Sequence, residues 1–221
     1  MKQILVYGDS LSWGIIPDTR QRFSFDKRWP GVMEQVLLEK GFNIRVFEDC
    51  LNGRRTVYQD PFKPGRRALD SVSQSIESHS PLALVILFLG TNDLQSTDQF
   101  NAWHASEGMA ALVHAVRAAP LEPGMPLPEV LIVAPPRIKH PQGVIGARFS
   151  GAEERSCGIS ERYRLVADQH GCHFFATDDV TPVSRVDGIH LDEYQHKVLG
   201  EALAHRTEAI LFETRAEHRA M

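Results

Sequence analysis

Pro81-Leu82-Ala83-Leu84-Val85-Ile86-Leu87-Phe88-Leu89-Gly90 decides the fold. Between a proline and a glycine the run is wholly apolar and rich in branched side chains. A strand half-exposed to water alternates apolar and polar residues; one without alternation is buried on both faces, as in a parallel sheet covered by helices. The neighbouring segments fit that reading. Ile4–Tyr7, Asn43–Phe47, Glu129–Ala134 and Cys172–Ala176 read as further strands. Between them lie helical patterns. Val32, Met33, Val36 and Leu37 recur at helical spacing, with Gly41 as a stop. Residues 66–79 are weakly helical. A helix is expected over about 98–119, with Met109, Leu112, Val113 and Val116 on one side. Another spans about 151–169, and the last starts near Asp192. The β-α succession predicts an α/β fold with a parallel sheet and helices on both faces. No internal repeat or linker interrupts it, so residues 1–221 are expected to form one domain. The tail from Glu213 onward is charged and is expected to fray.

Three long loops punctuate the pattern: 14–30, 54–67 and 135–150. In an open α/β sheet, ligands bind at the carboxyl ends of the strands. The third loop begins at such an end and the first two begin near one. The proline-rich connector from Pro120 to Pro128 precedes a strand and reads as spacing.

Composition narrows the function. Twenty-four Lys and Arg against 28 Asp and Glu give a net charge of -4. That balance argues against nucleic acid as a partner. Three scattered cysteines (Cys50, Cys157 and Cys172) do not suggest a disulfide framework and favour a reducing compartment. Residues 2–7 form too short an apolar run for a secretory signal, and no stretch reaches the length that spans a bilayer. The expected location is cytoplasmic, with no membrane partner.

Chemistry-bearing residues collect where the strands end. Gly8-Asp9-Ser10 follows the first strand, Gly53 the second, Gly90-Thr91-Asn92-Asp93 the third, and Asp187-Gly188-Ile189-His190 comes after the fifth. Each piece alone has an ordinary structural reading as a turn or helix cap. Together they supply a serine nucleophile, a histidine base, a carboxylate to orient that base, and N–H donors for an oxyanion. A metal site at His170-Gly171-Cys172-His173 is disfavoured, because side chains diverge along a strand. The turn after the first strand lacks the glycines and lysine that cradle phosphates. Neither metal nor cofactor is expected.

In order and type these four blocks resemble the SGNH, or GDSL, hydrolase superfamily, and the resemblance covers essentially the whole chain. It implies a flavodoxin-like three-layer sandwich whose five parallel strands run in the order 2-1-3-4-5. It implies a Ser10–His190–Asp187 triad, and an oxyanion hole from the Ser10 N–H, the Gly53 N–H and the Asn92 side chain. Leu11-Ser12-Trp13-Gly14, Arg28-Trp29-Pro30-Gly31-Val32, Leu51-Asn52-Gly53-Arg54 and Val133-Ala134-Pro135-Pro136 resemble its compact bacterial arylesterase/acyltransferase branch. That branch implies hydrolysis of short acyl esters, acyl transfer to alcohols or peroxide, and homo-oligomers, with the loops at 14–30 and 135–150 as candidate subunit contacts. Trp13, Phe23, Phe25 and Trp29 are candidates for an apolar substrate wall, or else for core packing. Two other readings remain. One is a carbohydrate O-deacetylase whose Arg54, Arg55, Arg66 and Arg67 meet the glycan. The other is a non-catalytic binding module on the same fold.

Overall fold

In a computed structural model, residues 1–212 are described with their side chains, and the backbone of the last helix is assigned through Ala220. The fraying expected from Glu213 onward falls outside the fully described residues.

The chain runs β1 (Lys2–Gly8), α1 (Ser10–Trp13), α2 (Trp29–Glu39), β2 (Ile44–Cys50), α3 (Val72–His79), β3 (Leu84–Phe88), α4 (Ala102–Arg117), β4 (Glu129–Ala134), α5 (Gly143–Gly146), α6 (Ala152–Arg155), α7 (Ile159–His170), β5 (His173–Ala176) and α8 (Glu193–Ala220). The five strands form one sheet of order β2-β1-β3-β4-β5, parallel at every pairing. The α/β fold and the strand order agree with the expectation.

Strand alternation divides the core into two halves. Leu5, Tyr7, Val85, Leu87 and Ile132 point to one face and meet Val72 and Ile76 of α3, Met109, Leu112 and Val116 of α4, and Tyr163 of α7. Ile4, Val6, Ile86, Phe88, Leu131 and Val133 point to the other and meet Trp29, Met33 and Leu37 of α2 with Leu199 and Leu203 of α8. Both faces of β3 are thereby sealed, which is why its sequence carries no polar alternation. Burying each such leucine or isoleucine fully contributes roughly 1.5–3 kcal/mol.

Three expected elements changed. The helix over 151–169 is two helices, α6 and α7, because Gly158 takes a left-handed conformation (φ +76) between them. The segment 66–79 is helical only from Val72, after a short 3₁₀ turn at Ala68–Asp70. The loop at 14–30 already contains a 3₁₀ turn (Phe25–Lys27) and the start of α2.

The parallel register aligns the carboxyl ends. Gly8 lies opposite Cys50 on one side and Phe88 on the other. The strand order reverses between β1 and β3, so the loops leaving them diverge and open a crevice. Among the described residues, no helix is long and apolar enough to cross a membrane.

Candidate active site

Asp9 follows β1 and caps α1, its Oδ1 accepting from the Leu11 N–H at 2.9 Å. Ser10 is therefore the first residue of α1. N–H groups in a helix's first turn have no acceptor within it, so that of Ser10 is available to an anion. The Ser10 side chain is buried against the base: Oγ lies 3.1 Å from His190 Nε2.

The base arrives from the far side of the sheet. β5 is the edge strand, yet His190 must reach β1. The segment after β5 folds back on itself, with the Ser184 N–H donating to His190 O and the Gly188 N–H to Ser184 O. Lys139 N–H donates to Gly188 O and Gln142 N–H to Asp187 O, so the loop after β4 holds the segment in place. Gly188 has φ +75, and a Cβ there would stand 2.0 Å from Lys139 O. Only glycine fits this turn, which puts Asp187 and His190 on one side.

Asp187 is fully buried and accepts four hydrogen bonds. Its Oδ1 takes the Ile189 and His190 N–H groups, each at 2.9 Å. Oδ2 lies 2.7 Å from His190 Nδ1 and 3.3 Å from the Asp18 N–H. Burial opposes ionisation, but the hydrogen bond and charge of His190 and the two backbone N–H groups outweigh it and hold the carboxyl below its ordinary value. An ionised Asp187 only accepts, so His190 carries its proton on Nδ1 and turns a lone pair on Nε2 toward Ser10. That geometry can take a proton from a hydroxyl and return it to a leaving group.

Asn92 lies in a 3₁₀ turn after β3. One Nδ2 proton goes to Asp9 Oδ2 at 2.9 Å, and Oδ1 accepts from Gln95 Nε2 at 2.8 Å. Gln95 Oε1 in turn accepts from Arg55 Nη2 at 3.3 Å. This chain fixes the amide and leaves the second Nδ2 proton free to face the cleft. Gly53 joins Ser10, Asn92 and His190 in lining that cleft. Burial raises Asp9 to about 6, against the lowering effects of the Leu11 N–H, His190, Asn92 and Arg54. Asp93 has a separate role: its carboxylate accepts from the Thr56 N–H through both oxygens, at 3.0 and 3.3 Å, and burial raises it to about 7.

Several residues stand elsewhere than the sequence suggested. Trp13, Phe23 and Phe25 are not among the residues lining this cleft. Trp13 lies beneath the Arg22 guanidinium, Phe23 meets the His196 ring edge-on, and Phe25 is partly exposed beside Arg28. Trp29 is core, packed on Phe88. Arg54 and Arg55 are buried, so neither can reach a glycan. Arg54 donates to Gly8 O and Asp49 O and lies over the Tyr7 ring, tying the ends of β1 and β2 together. Arg55 is occupied by Asp98, Thr97, Gln95 and Gln59 O. Arg66 holds Asn52 O and Pro64 O, and Arg67 pairs with Asp70.

The cleft walls are instead Ile15, Ile145, Gln95, Arg20, Lys63 and Arg148. The sequence held no periodic signal for these, because they come from loops or from single turns too short to show a period, Ile145 in α5 and Arg148 in the 3₁₀ turn after it. The cavity at the serine is about 20 Å³, room for little more than one water-sized group. A wider groove of about 740 Å³ between α2 and α8 is lined by Val32, Val36 and Tyr194 and holds none of these groups.

The chain belongs to the GDSL-like lipase/acylhydrolase family, whose sequence profile matches residues 6–198. Its fold is similar to that of the native M. smegmatis aryl esterase, with a TM-score of 0.89 and 33% identity over 95% of this chain and 100% of that one. A carbohydrate acetylesterase from Sinorhizobium meliloti is similar to the same degree, with a TM-score of 0.88 and 32% identity over 95% and 100% of the two chains. An arylesterase of Vibrio mimicus is 30% identical over 92 residues, which are 42% of this chain and 38% of that relative's length.

Proposed function

We propose that the protein is a carboxylic ester hydrolase that cleaves short-chain acyl esters through an acyl-enzyme on Ser10. One observation carries the proposal: a buried carboxylate 2.7 Å from one nitrogen of His190, and the Ser10 hydroxyl 3.1 Å from the other. Ser10 Oγ attacks the ester carbonyl as His190 Nε2 takes its proton. Asp187 stabilises the imidazolium without accepting the proton. The oxyanion is met by the N–H groups of Ser10 and Gly53 and by Asn92 Nδ2. His190 then protonates the leaving alcohol, and the tetrahedral intermediate collapses to the acyl-enzyme. Water repeats the sequence and frees the acid; an alcohol or peroxide in its place yields acyl transfer. The small cavity beside the serine favours short acyl groups, and aryl leaving groups depart most easily.

The aryl esterase of M. smegmatis is a similar fold over its whole length, which supports aryl acetates as first substrates. The Sinorhizobium meliloti carbohydrate acetylesterase keeps a second reading open, deacetylation of acetylated sugars by the same site. Phenyl acetate assayed beside an acetylated oligosaccharide separates the two. The serine mechanism is tested with a fluorophosphonate probe and with Ser10→Ala. Labelling at Ser10, and loss of turnover in a folded variant, are expected. A folded Ser10→Ala protein with near-normal turnover would overturn the mechanism. A wild type that neither labels nor hydrolyses any ester would instead point to a binding module. The cysteines are unpaired, in keeping with the expected cytoplasmic location. The expected homo-oligomer is tested by light scattering of the purified protein.

A further inference from the structure

Three cations from three different loops line the cleft at Ser10: Arg20, Lys63 and Arg148. Their charges are not equally compensated. Arg148 pairs with the buried Asp60, Nη2 to Oδ2 at 3.2 Å. Asp60 is otherwise spent on the Phe62 N–H. Arg20 and Lys63 form no ion pair among the described residues. Lys63 is crowded by its own sign: burial, and then Arg66, Arg20 and Arg148, hold its amine below the ordinary value, with Asp60 opposing. The other carboxylates nearby are engaged, Asp18 by the Val144 N–H. Asp187 holds His190, and Asp9 lies beneath α1 holding Leu11 and Asn92. The entrance is therefore positive on a chain whose net charge is -4. Loops are free to place charges anywhere in solvent, and like charges gathered without counter-charges disfavour the folded state unless a ligand supplies the missing sign.

We infer that the cleft selects esters carrying an anionic group, a carboxylate or phosphate, held by Arg20 and Lys63 at its mouth. The inference rests on the esterase reading above and deepens it. The anion sits outside the narrow cavity, so it belongs to a part of the ester that stays near the entrance while the carbonyl meets Ser10. Arg148, steadied by Asp60, forms the third side of the cradle. The lining isoleucines, Ile15 and Ile145, meet the uncharged body of the substrate.

The test is a ratio of kcat/KM values for matched anionic and neutral esters. With the anion on the alcohol side, 4-acetoxybenzoate is compared with methyl 4-acetoxybenzoate. With the anion on the acyl side, mono-4-nitrophenyl glutarate is compared with 4-nitrophenyl valerate, after subtraction of spontaneous hydrolysis. In at least one pair the anionic ester is expected to be favoured by about fivefold, the level at which two partly exposed ion pairs act. The arm that shows it identifies which half of the ester carries the charge. Lys63→Gln and Arg20→Gln should each lower that ratio, and Lys63→Glu should invert it. Added salt should erode it in the wild type, because exposed charges are screened. Both esters see the same folded fraction, so partial misfolding of a variant leaves the ratio readable. Equal or lower turnover of the anionic ester in both pairs, with neutral esters hydrolysed normally, overturns this inference and leaves the esterase reading standing. Absence of turnover on all four esters counts against the esterase reading itself.

Discussion

Asn92→Ala separates catalysis from packing at one residue. In the wild type the Asn92 amide donates to Asp9 and accepts from Gln95, and in the mechanism proposed above its second Nδ2 proton meets the oxyanion. Only the last depends on the transition state, because the oxyanion is absent from bound substrate. Loss of one such donor lowers kcat by about 10²–10³, or roughly 2.7–4 kcal/mol. KM should change little, since ground-state contacts are kept. The other two roles predict a stability cost. Removal of the amide leaves the buried Asp9 carboxylate short of a donor and Gln95 short of an acceptor, each worth about 1–3 kcal/mol. Asp9 would also lose a group that lowers its pKa, moving it further above about 6. The assay is initial-rate kinetics on phenyl acetate, with a thermal melt on the same preparation. A folded variant with kcat within about threefold of wild type, or a defect confined to KM, would refute the oxyanion role.

Asp187→Asn should reduce kcat by about 10⁴-fold, because an amide can donate to His190 Nδ1 and so favour the wrong tautomer; single-turnover kinetics on a short aryl acetate measures it. Gly188→Ala should destabilise the protein and abolish turnover, since φ +75 and a Cβ 2.0 Å from Lys139 O force the loop to move; a normal melting temperature with full activity would contradict this. Asp93 makes stability depend on pH. Burial raises it from 3.8 to about 7, so between those values the folded state holds a proton that the unfolded chain releases. Its contribution is present below about pH 4 and is lost as pH rises to about 7. Urea midpoints at pH 4.5 and 7.5 should therefore differ less favourably for the wild type than for Asp93→Asn, and an identical difference for both proteins would exclude it.

Much of the scaffold was legible because apolar burial writes itself into sequence with a period. Leu82–Leu89 and Glu129–Ala134 lack polar alternation because helices cover both faces, and β4 has the expected bounds. The continuous helix expected over 151–169 failed at Gly158, whose positive φ breaks a pattern that periodicity alone reads through. The candidate site was legible in its blocks and illegible in its walls. Ser10 and Asn92 sit at strand ends that the topology gathers, and Asp187 and His190 reach them on the folded-back segment after β5. Arg20, Lys63, Arg148 and Gln95 come from loops or single short turns, where neither a period of two nor one of 3.6 tells a side chain's direction. Arg54 and Arg55 misled for the opposite reason. A pair of arginines in a loop suggests solvent, yet Gly8 O, Asp49 O and Gln59 O needed buried donors, and the guanidinium groups supply them.

The loop after β4 does more than border the cleft. The N–H groups of Lys139 and Gln142 hold the carbonyls of Gly188 and Asp187, and the Val144 N–H reaches across to Asp18. An engineer wishing to retune this protein by grafting a foreign loop over 135–150 would be exchanging part of the bearing on which the imidazole turns. Under the mechanism proposed, ester preference and proton transfer are thus heritable as one cassette: a transplant succeeds only when it brings both backbone donors in register.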